Sequence, residues 1–456
     1  MFATIVYCLL PLSLVKCLIY LYFNHIFLLV TVVFLFLRLQ TSPQTIALQI
    51  LGLSLDSISF NSKILMKKQL LLALALMMGF LPVKAQDEKK EEGFQFTTIK
   101  EIPITAVRDQ HRSSTCWAHS GIALMEAEAL RIKGVDVDLS EMYVVSHSMM
   151  DRAEKYVRLH GNASWAPGGK CGDVLYCLEH YGFVRQEDMP GNRYGGTLPN
   201  HTELDLVATG YVKALAKSDI SKLSPVWKEG LQGIYDAYLG KYPEKVNGMT
   251  PQEYAKSLGL EADNYITLTS FTHHPFYEPF ALEIEDNWRG CPYYNLPIDE
   301  LMEVMQYAID KGYTFQWSAD VSEQGFTRDG IAVCPDAEKA AELSGSDMAH
   351  WLGMSAANRR NELTSKPMPE IEVTQEMRQE AFDNWETGDD HGLLIFGKAK
   401  DQNGKEYFMG KNSWGDSGKY HGIWYVSETF AKYKTMNIVL HKDALPKNIA
   451  KKLSVK

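Results

Sequence analysis

Three short motifs lie far apart in this chain, and the groups they carry are useful only if the fold brings them together. They are Gln110 with Cys116-Trp117, Asp390-His391-Gly392, and Asn412-Ser413-Trp414-Gly415. A thiol, an imidazole and a carboxamide in that order can serve as a nucleophile, a proton carrier and a group that holds the ring in one tautomer. The thiol and the imidazole are separated by most of the chain, so their meeting has to be a tertiary contact between two differently built parts.

Around the thiol the segment is polar and turn-like up to Thr115. An apolar helical pattern follows through Ile122, Met125, Ala129 and Ile132, with Gly134 as its stop. Cys116 is therefore expected at a helix N-terminus, where unpaired N–H groups and the positive dipole end favour a thiolate. Gln110, six residues upstream, can aim a side-chain N–H at the oxygen of a tetrahedral intermediate, with the Cys116 backbone N–H as the second donor. A cysteine taken alone reads as an ordinary buried thiol. Its position at a helix start, together with the downstream motifs, sets this one apart. His119 shares a helix face with Cys116 and reads as a packing residue.

His391 follows a Gly388-Asp389-Asp390 turn and precedes the apolar run Leu393-Leu394-Ile395-Phe396, which reads as a buried strand. Asn412 follows a second strand-like stretch, so its amide can accept from the imidazole and fix the ring. Trp414 is placed to cover that bond and exclude water, which strengthens it.

At these residues the chain resembles the papain-like cysteine peptidases, and more narrowly their bleomycin hydrolase/aminopeptidase C branch. The narrower likeness rests on Met249-Thr250-Pro251-Gln252-Glu253-Tyr254, Tyr294-Asn295-Leu296-Pro297-Ile298-Asp299 and Asp320-Val321, and it spans about Phe94 to Lys447. The resemblance implies Cys116 as nucleophile, His391 as general acid/base, Asn412 as orienter and Gln110 as oxyanion donor. It also implies that Gly168-Gly169 lets substrate backbone approach, although the pair reads equally well as a loop before a helix. The branch carries a C-terminal arm whose carboxylate meets the substrate amine, and here the chain stops short of that arm. Asp389 and Asp390 before His391 are the candidates to receive an α-ammonium in its place. Peptide substrates and a homohexamer are further implications of the likeness.

The chain has 456 residues and a formal charge of −10. Met66-Lys67-Lys68 opens a basic segment, an apolar run follows over 70–81, and Val83-Lys84-Ala85 fits a signal-peptidase site, so export after cleavage behind Ala85 is expected. Residues 1–65 then read as an unused upstream start or an anchor, and 86–93 as a charged linker. Removing residues 1–85 takes away six basic residues and one acidic, which moves the balance from −10 to −15. Such a chain repels nucleic acid and anionic membrane. Five cysteines remain: Cys116, Cys171, Cys177, Cys291 and Cys334. The odd number leaves a free thiol and permits up to two disulfides, but Cys171 and Cys177 point different ways on one helix and should not pair. Cys and His spacing, His273-His274 included, carries no metal signature, and nothing calls for a cofactor.

The pattern is mainly helical over 94–270, with helices expected over 116–133, 140–156, 173–181, 218–239 and 251–258. From 271 to 456 it is strand-rich, with strands over 314–319, 392–396, 407–409 and 423–426, a helix over 299–311, and a polar insertion over 331–369 holding a helix at 337–343. The expected fold is α+β and papain-like. A helical subdomain carries the thiol, an antiparallel sheet or barrel carries His391 and Asn412, and a cleft lies between them. The expected activity is peptide-bond hydrolysis through a Cys116 thioester, aminopeptidase-like. An endopeptidase of the same mechanism, acyl transfer to an amine, and a catalytically silent binding protein are the alternatives.

Overall fold

The computed structural model describes residues 93–339 and 355–455. The expected leader at 66–85, the segment 1–65, the linker up to residue 92 and the middle of the insertion lie outside the described residues.

The elements run β1 (Thr97–Glu101), α1 (Cys116–Lys133), α2 (Glu141–Arg158), α3 (Cys171–His180), α4 (Thr202–Ala216), α5 (Val226–Tyr238), α6 (Pro251–Ser257), β2 (Tyr265–Thr269), β3 (Pro279–Ala281), β4 (Pro292–Asn295), α7 (Ile298–Lys311), β5 (Phe315–Ala319), β6 (Ile331–Ala332), α8 (Ala356–Thr364), α9 (Gln375–Asp383), β7 (His391–Lys400), β8 (Glu406–Lys411), β9 (Ile423–Ser427), α10 (Glu428–Lys434), β10 (Thr435–His441) and α11 (Lys447–Lys452). One sheet runs β3-β4-β2-β10-β5-β7-β8-β9-β6, and β1 pairs with β7 off that path. Its pairings are antiparallel except β2 with β4 and β6 with β9. The strand β7 changes partner along its length. Residues 391–395 pair with β5, and from Gly397 onward the strand pairs with β1.

Two large apolar cores form. One gathers the inner faces of α1, α2 and α3 with residues of α4 to α6. The other lies between the sheet and α7, α10 and α11. The first helix is rich in Ala, Leu, Met and Glu, which are strong helix formers, and its residues from Trp117 to Ala129 are buried. Gly134 ends it in the left-handed conformation (φ +67°), where a side chain would be strained. At its start no side chain caps the helix, because the Thr115 hydroxyl bonds to Ser113 and to His119 Nδ1 instead.

This helix lies directly on the start of β7. A Cβ on Gly392 would sit 2.6 Å from Ser120 Oγ and 3.0 Å from Gln316 Nε2, so a side chain there would push against the helix's Ser120. The thiol at the first position of α1 is thereby carried to the residue that follows His391.

Several elements differ from expectation for physical reasons. The helix expected over 218–239 begins only at Val226, because Ser224 precedes Pro225 and is steered away from helical backbone. The helix α4 was not expected. Its outward Leu206 and Val207 are exposed, which blurs the apolar period. The strand β10 is buried along its whole length, so it lacks the alternation that marks a one-faced strand. Although the segment 94–270 reads as helical, β1 and β2 within it belong to the sheet. The capping box at Thr250 and Glu253 forms as read, with Pro251 at the first helical position. The helix expected at 337–343 is present over 337–339, and the rest lies outside the described residues. All five described cysteines are free, so neither permitted disulfide forms. Toward its end the chain is docked on α7, through buried Ile449 and Leu453 and a 2.6 Å ion pair between Lys452 and Glu300.

The contact at Gly392 yields a test. Gly392→Ala should destabilise the fold by about 1–3 kcal/mol, as overpacking does. Adding Ser120→Ala should recover most of that loss, as read by the denaturant midpoint.

Candidate active site

The three motifs are drawn together by backbone contacts before any side chain acts. The loop before α1 is stitched to the Asn412 motif: Gln110 N–H donates to Ser413 O at 2.8 Å, and Gly415 N–H donates to Arg108 O at 3.1 Å. Gly415 has φ +77°, and a Cβ there would crowd the Asp109 carboxylate at 3.1 Å. The second contact is α1 on β7, described above.

His391 Nε2 lies 2.7 Å from Asn412 Oδ1. The same oxygen accepts the Ser413 N–H at 2.7 Å, which fixes which end of the amide faces the ring. Nε2 must then carry the proton, and Nδ1 keeps its lone pair for another group. Trp414 packs over the imidazole, with ring centroids 4.7 Å apart, and is held edge-on to Trp424. Gln110 is anchored through its carbonyl end, since Ser413 Oγ donates to Oε1 at 2.6 Å. That turns its NH2 group outward as a donor.

Cys116 is partly exposed, and its sulfur is hydrogen-bonded to the backbone of Gly392. The expectation of a low thiol pKa from the helix N-terminus is corrected here. Burial pushes the thiol up to about 12, and the charges of Asp389 and Asp286 add to the rise against the opposing Gly392 bond and Lys170. Burial also pulls the His391 imidazole down to about 4, against the Asn412 bond. Burial therefore disfavours either ion alone.

His119 is a packing residue, as expected. Its Nδ1 donates to Thr115 O at 2.9 Å, and burial holds it neutral. The Gly168-Gly169 pair is needed by its protein neighbours. A Cβ on Gly169 would sit 2.9 Å from the Trp117 ring, and one on Gly168 would sit 2.4 Å from the Asp286 carboxylate. Asp390 does not present a free carboxylate for an ammonium. It accepts from Val321 N–H at 2.8 Å and Ser322 N–H at 3.1 Å, and it also bonds the Ser322 hydroxyl, so it pins that loop. Asp389 is paired with Lys170 at 2.6 Å, with both side chains buried. This pair ties the residue before α3 to the turn before His391.

No family model matches the chain. It is 21% identical over 400 residues to aminopeptidase G of Lactobacillus delbrueckii subsp. lactis, covering 78% of this chain and 85% of the relative. It is 23% identical over 417 residues to aminopeptidase C of Streptococcus thermophilus, covering 80% and 86%. Human cathepsin L2 matches over 134 residues at 28% identity, covering 27% and 36%. The chain is a cysteine-type peptidase, similar to these aminopeptidases over about four-fifths of its length. Its fold matches the crystal structure of PepW from Lactobacillus rhamnosis with a TM-score of 0.59 at 18% identity, over 88% of this chain and 95% of that one.

The peptidase also holds site residues that sequence reasoning passed over. Ser413 stood inside a motif already singled out, and its bond to Gln110 could have been anticipated. Lys170 and Asp286 gave no signal, because their partners lie far away in the chain. Outside the site, His273 and His274 converge on Glu283, with their Nε2 atoms 3.0 and 2.9 Å from its two oxygens, although their spacing carried no metal signature. The Gln379 amide is oriented by the Thr272 N–H on Oε1 and donates to His273 Nδ1, so Nε2 bears the proton and the set closes as hydrogen bonds.

The thiol chemistry is directly testable. In His391→Ala, alkylation of Cys116 by iodoacetamide at pH 7 should slow by at least about tenfold, with the residual rate climbing through the alkaline range as expected of an unassisted buried thiol. An unchanged rate at pH 7 would show that His391 does not take the proton.

Proposed function

We propose that the peptidase is a thiol aminopeptidase acting through a Cys116 thioester. Cys116 Sγ passes its proton to His391 Nδ1 and bonds the substrate carbonyl carbon, and the oxygen charge falls to the Gln110 amide and the Cys116 N–H. The leaving amine takes the proton from Nδ1 as the peptide bond breaks. Water then gives a proton to Nδ1 and its oxygen to the thioester carbon, and the proton returns to the sulfur as the acid leaves. Asn412 holds the ring in the tautomer that this needs, and Trp414 keeps water from their bond. Gly168 and Gly169 would flank the bound peptide in a cleft between the two cores.

The observation that carries this reading is the 2.7 Å bond between His391 Nε2 and Asn412, in a ring whose neighbour Gly392 meets the thiol. The restriction to peptide N-termini rests on the relatives that cover four-fifths of the chain, which are named aminopeptidases.

A peptide library with free and acetylated N-termini, read by mass spectrometry, tests both halves of the proposal. Free peptides should lose N-terminal residues, Cys116→Ala should abolish cleavage, and Gln110→Ala should lower kcat by about 10²–10³ with little change in KM. Internal cuts in acetylated peptides at equal rates would overturn the aminopeptidase part, and failure of an epoxide to label Cys116 would overturn the whole.

Export is a further proposal from the N-terminal segment. The protein recovered from cells should begin at Gln86 by mass spectrometry, and an intact residue 66–85 segment in the active fraction would overturn it.

A further inference from the structure

Asp286 faces the same site as the thiol. Its carboxylate lies over Gly168, where a Cβ would be 2.4 and 2.5 Å from its two oxygens, and its charge acts on Cys116. Asn287 holds the loop that presents it. The Asn287 amide donates to Leu282 O and Cys291 O at 3.1 Å each and accepts the Cys291 N–H at 2.9 Å.

The cations nearby make their hydrogen bonds elsewhere, although the charges of Lys170 and Arg152 still act on Asp286. Lys170 is paired with Asp389. Arg289 is shared by Asp151 and Asp173 at 2.7 Å each. Arg152 donates to Ser164 O, to Ser164 Oγ and to Gly168 O, which fixes the glycine loop. Among the described residues no hydrogen bond or ion pair reaches the Asp286 carboxylate, and the group is half-buried. Burial, with the repulsion of Asp389, pushes it up to about 6 against the opposing charges of Lys170 and Arg152, so it is ionised at neutral pH and has no directly bonded partner.

We infer that Asp286 receives the α-ammonium of the substrate, so that peptides with a free N-terminus supply the bonded partner that its carboxylate lacks. The inference rests on the aminopeptidase reading and goes beyond it by naming the residue and a consequence. An ammonium on Asp286 cancels one of the two carboxylate fields that hold the Cys116 thiol up, so a correct substrate eases the deprotonation of its own nucleophile. An N-blocked peptide brings no such charge. Specificity is therefore expressed in kcat as well as in KM.

The test compares wild type with Asp286→Asn on an aminoacyl coumarin amide and its N-acetyl form. For the variant, kcat/KM on the free amine should fall at least 30-fold while hydrolysis of the acetylated substrate stays level or rises. Iodoacetamide labelling of Cys116 in the resting variant should become faster, because a negative field has been removed. Opposite movements of the two readouts exclude a damaged fold. If the wild type prefers the free amine and the variant keeps that preference, or if resting alkylation does not accelerate, the assignment of Asp286 is overturned while the aminopeptidase reading stands. A wild type without preference for the free amine overturns both.

Discussion

The close approach of α1 to the first residues of β7 decides whether this molecule can work. The absent Cβ of Gly392 lets Ser120 rest on the strand, and the helix start then delivers its thiol to the backbone of the residue beside His391. Neither element could make this contact by itself. The helix is held by the apolar core it shares with α2 and α3, and the strand by β5 and β8 on either side. A methyl group inserted between them would be felt at the sulfur, because close-packed interiors do not absorb such a volume.

The electrostatics of the site follow from that packing. Bringing helix and strand together removes water from both the thiol and the imidazole, and this disfavours either charge alone. The helix dipole, which by itself favours a thiolate, is outweighed by burial and by two carboxylates. The ion pair between Lys170 and Asp389 neutralises one of these and binds the turn before His391 to the start of α3. Asp286 keeps its charge. The thiol and the imidazole are thus both kept neutral by burial, with Asp286 beside them carrying a charge that only the more distant fields of Lys170 and Arg152 oppose.

The Asn-Ser-Trp-Gly motif shows how closely neighbouring residues can divide one task. Asn412 orients the imidazole, Ser413 orients Gln110, Trp414 covers the ring, and Gly415 makes the turn that lets Asp109 and Gln110 lie alongside. The amide that meets the imidazole and the hydroxyl that anchors Gln110 therefore belong to adjacent residues of one turn. This arrangement is visible in the hydrogen bonds and not in the residue types, which alone would indicate only a turn.

Much of the molecule could be read from local pattern. The helix after Cys116, the capping box at Thr250, the strand after His391 and the four groups Gln110, Cys116, His391 and Asn412 all announce themselves through spacing or through a neighbour within a few residues. Where burial covers both faces, as in β10, or an outer face is apolar, as in α4, the period is lost and so were the elements. The charge balance of the site was beyond the reach of sequence. Asp390 looked like the free acid and is tied to the Val321 loop, Asp389 looked like its twin and is neutralised by Lys170, and Asp286 stood in an unremarked loop. Sequence determines which groups are present and which short segments are helical or extended, because those follow from contacts within a few residues. Only the tertiary structure decides which charges are paired and how far burial shifts a proton, because both depend on partners that lie far away in the chain.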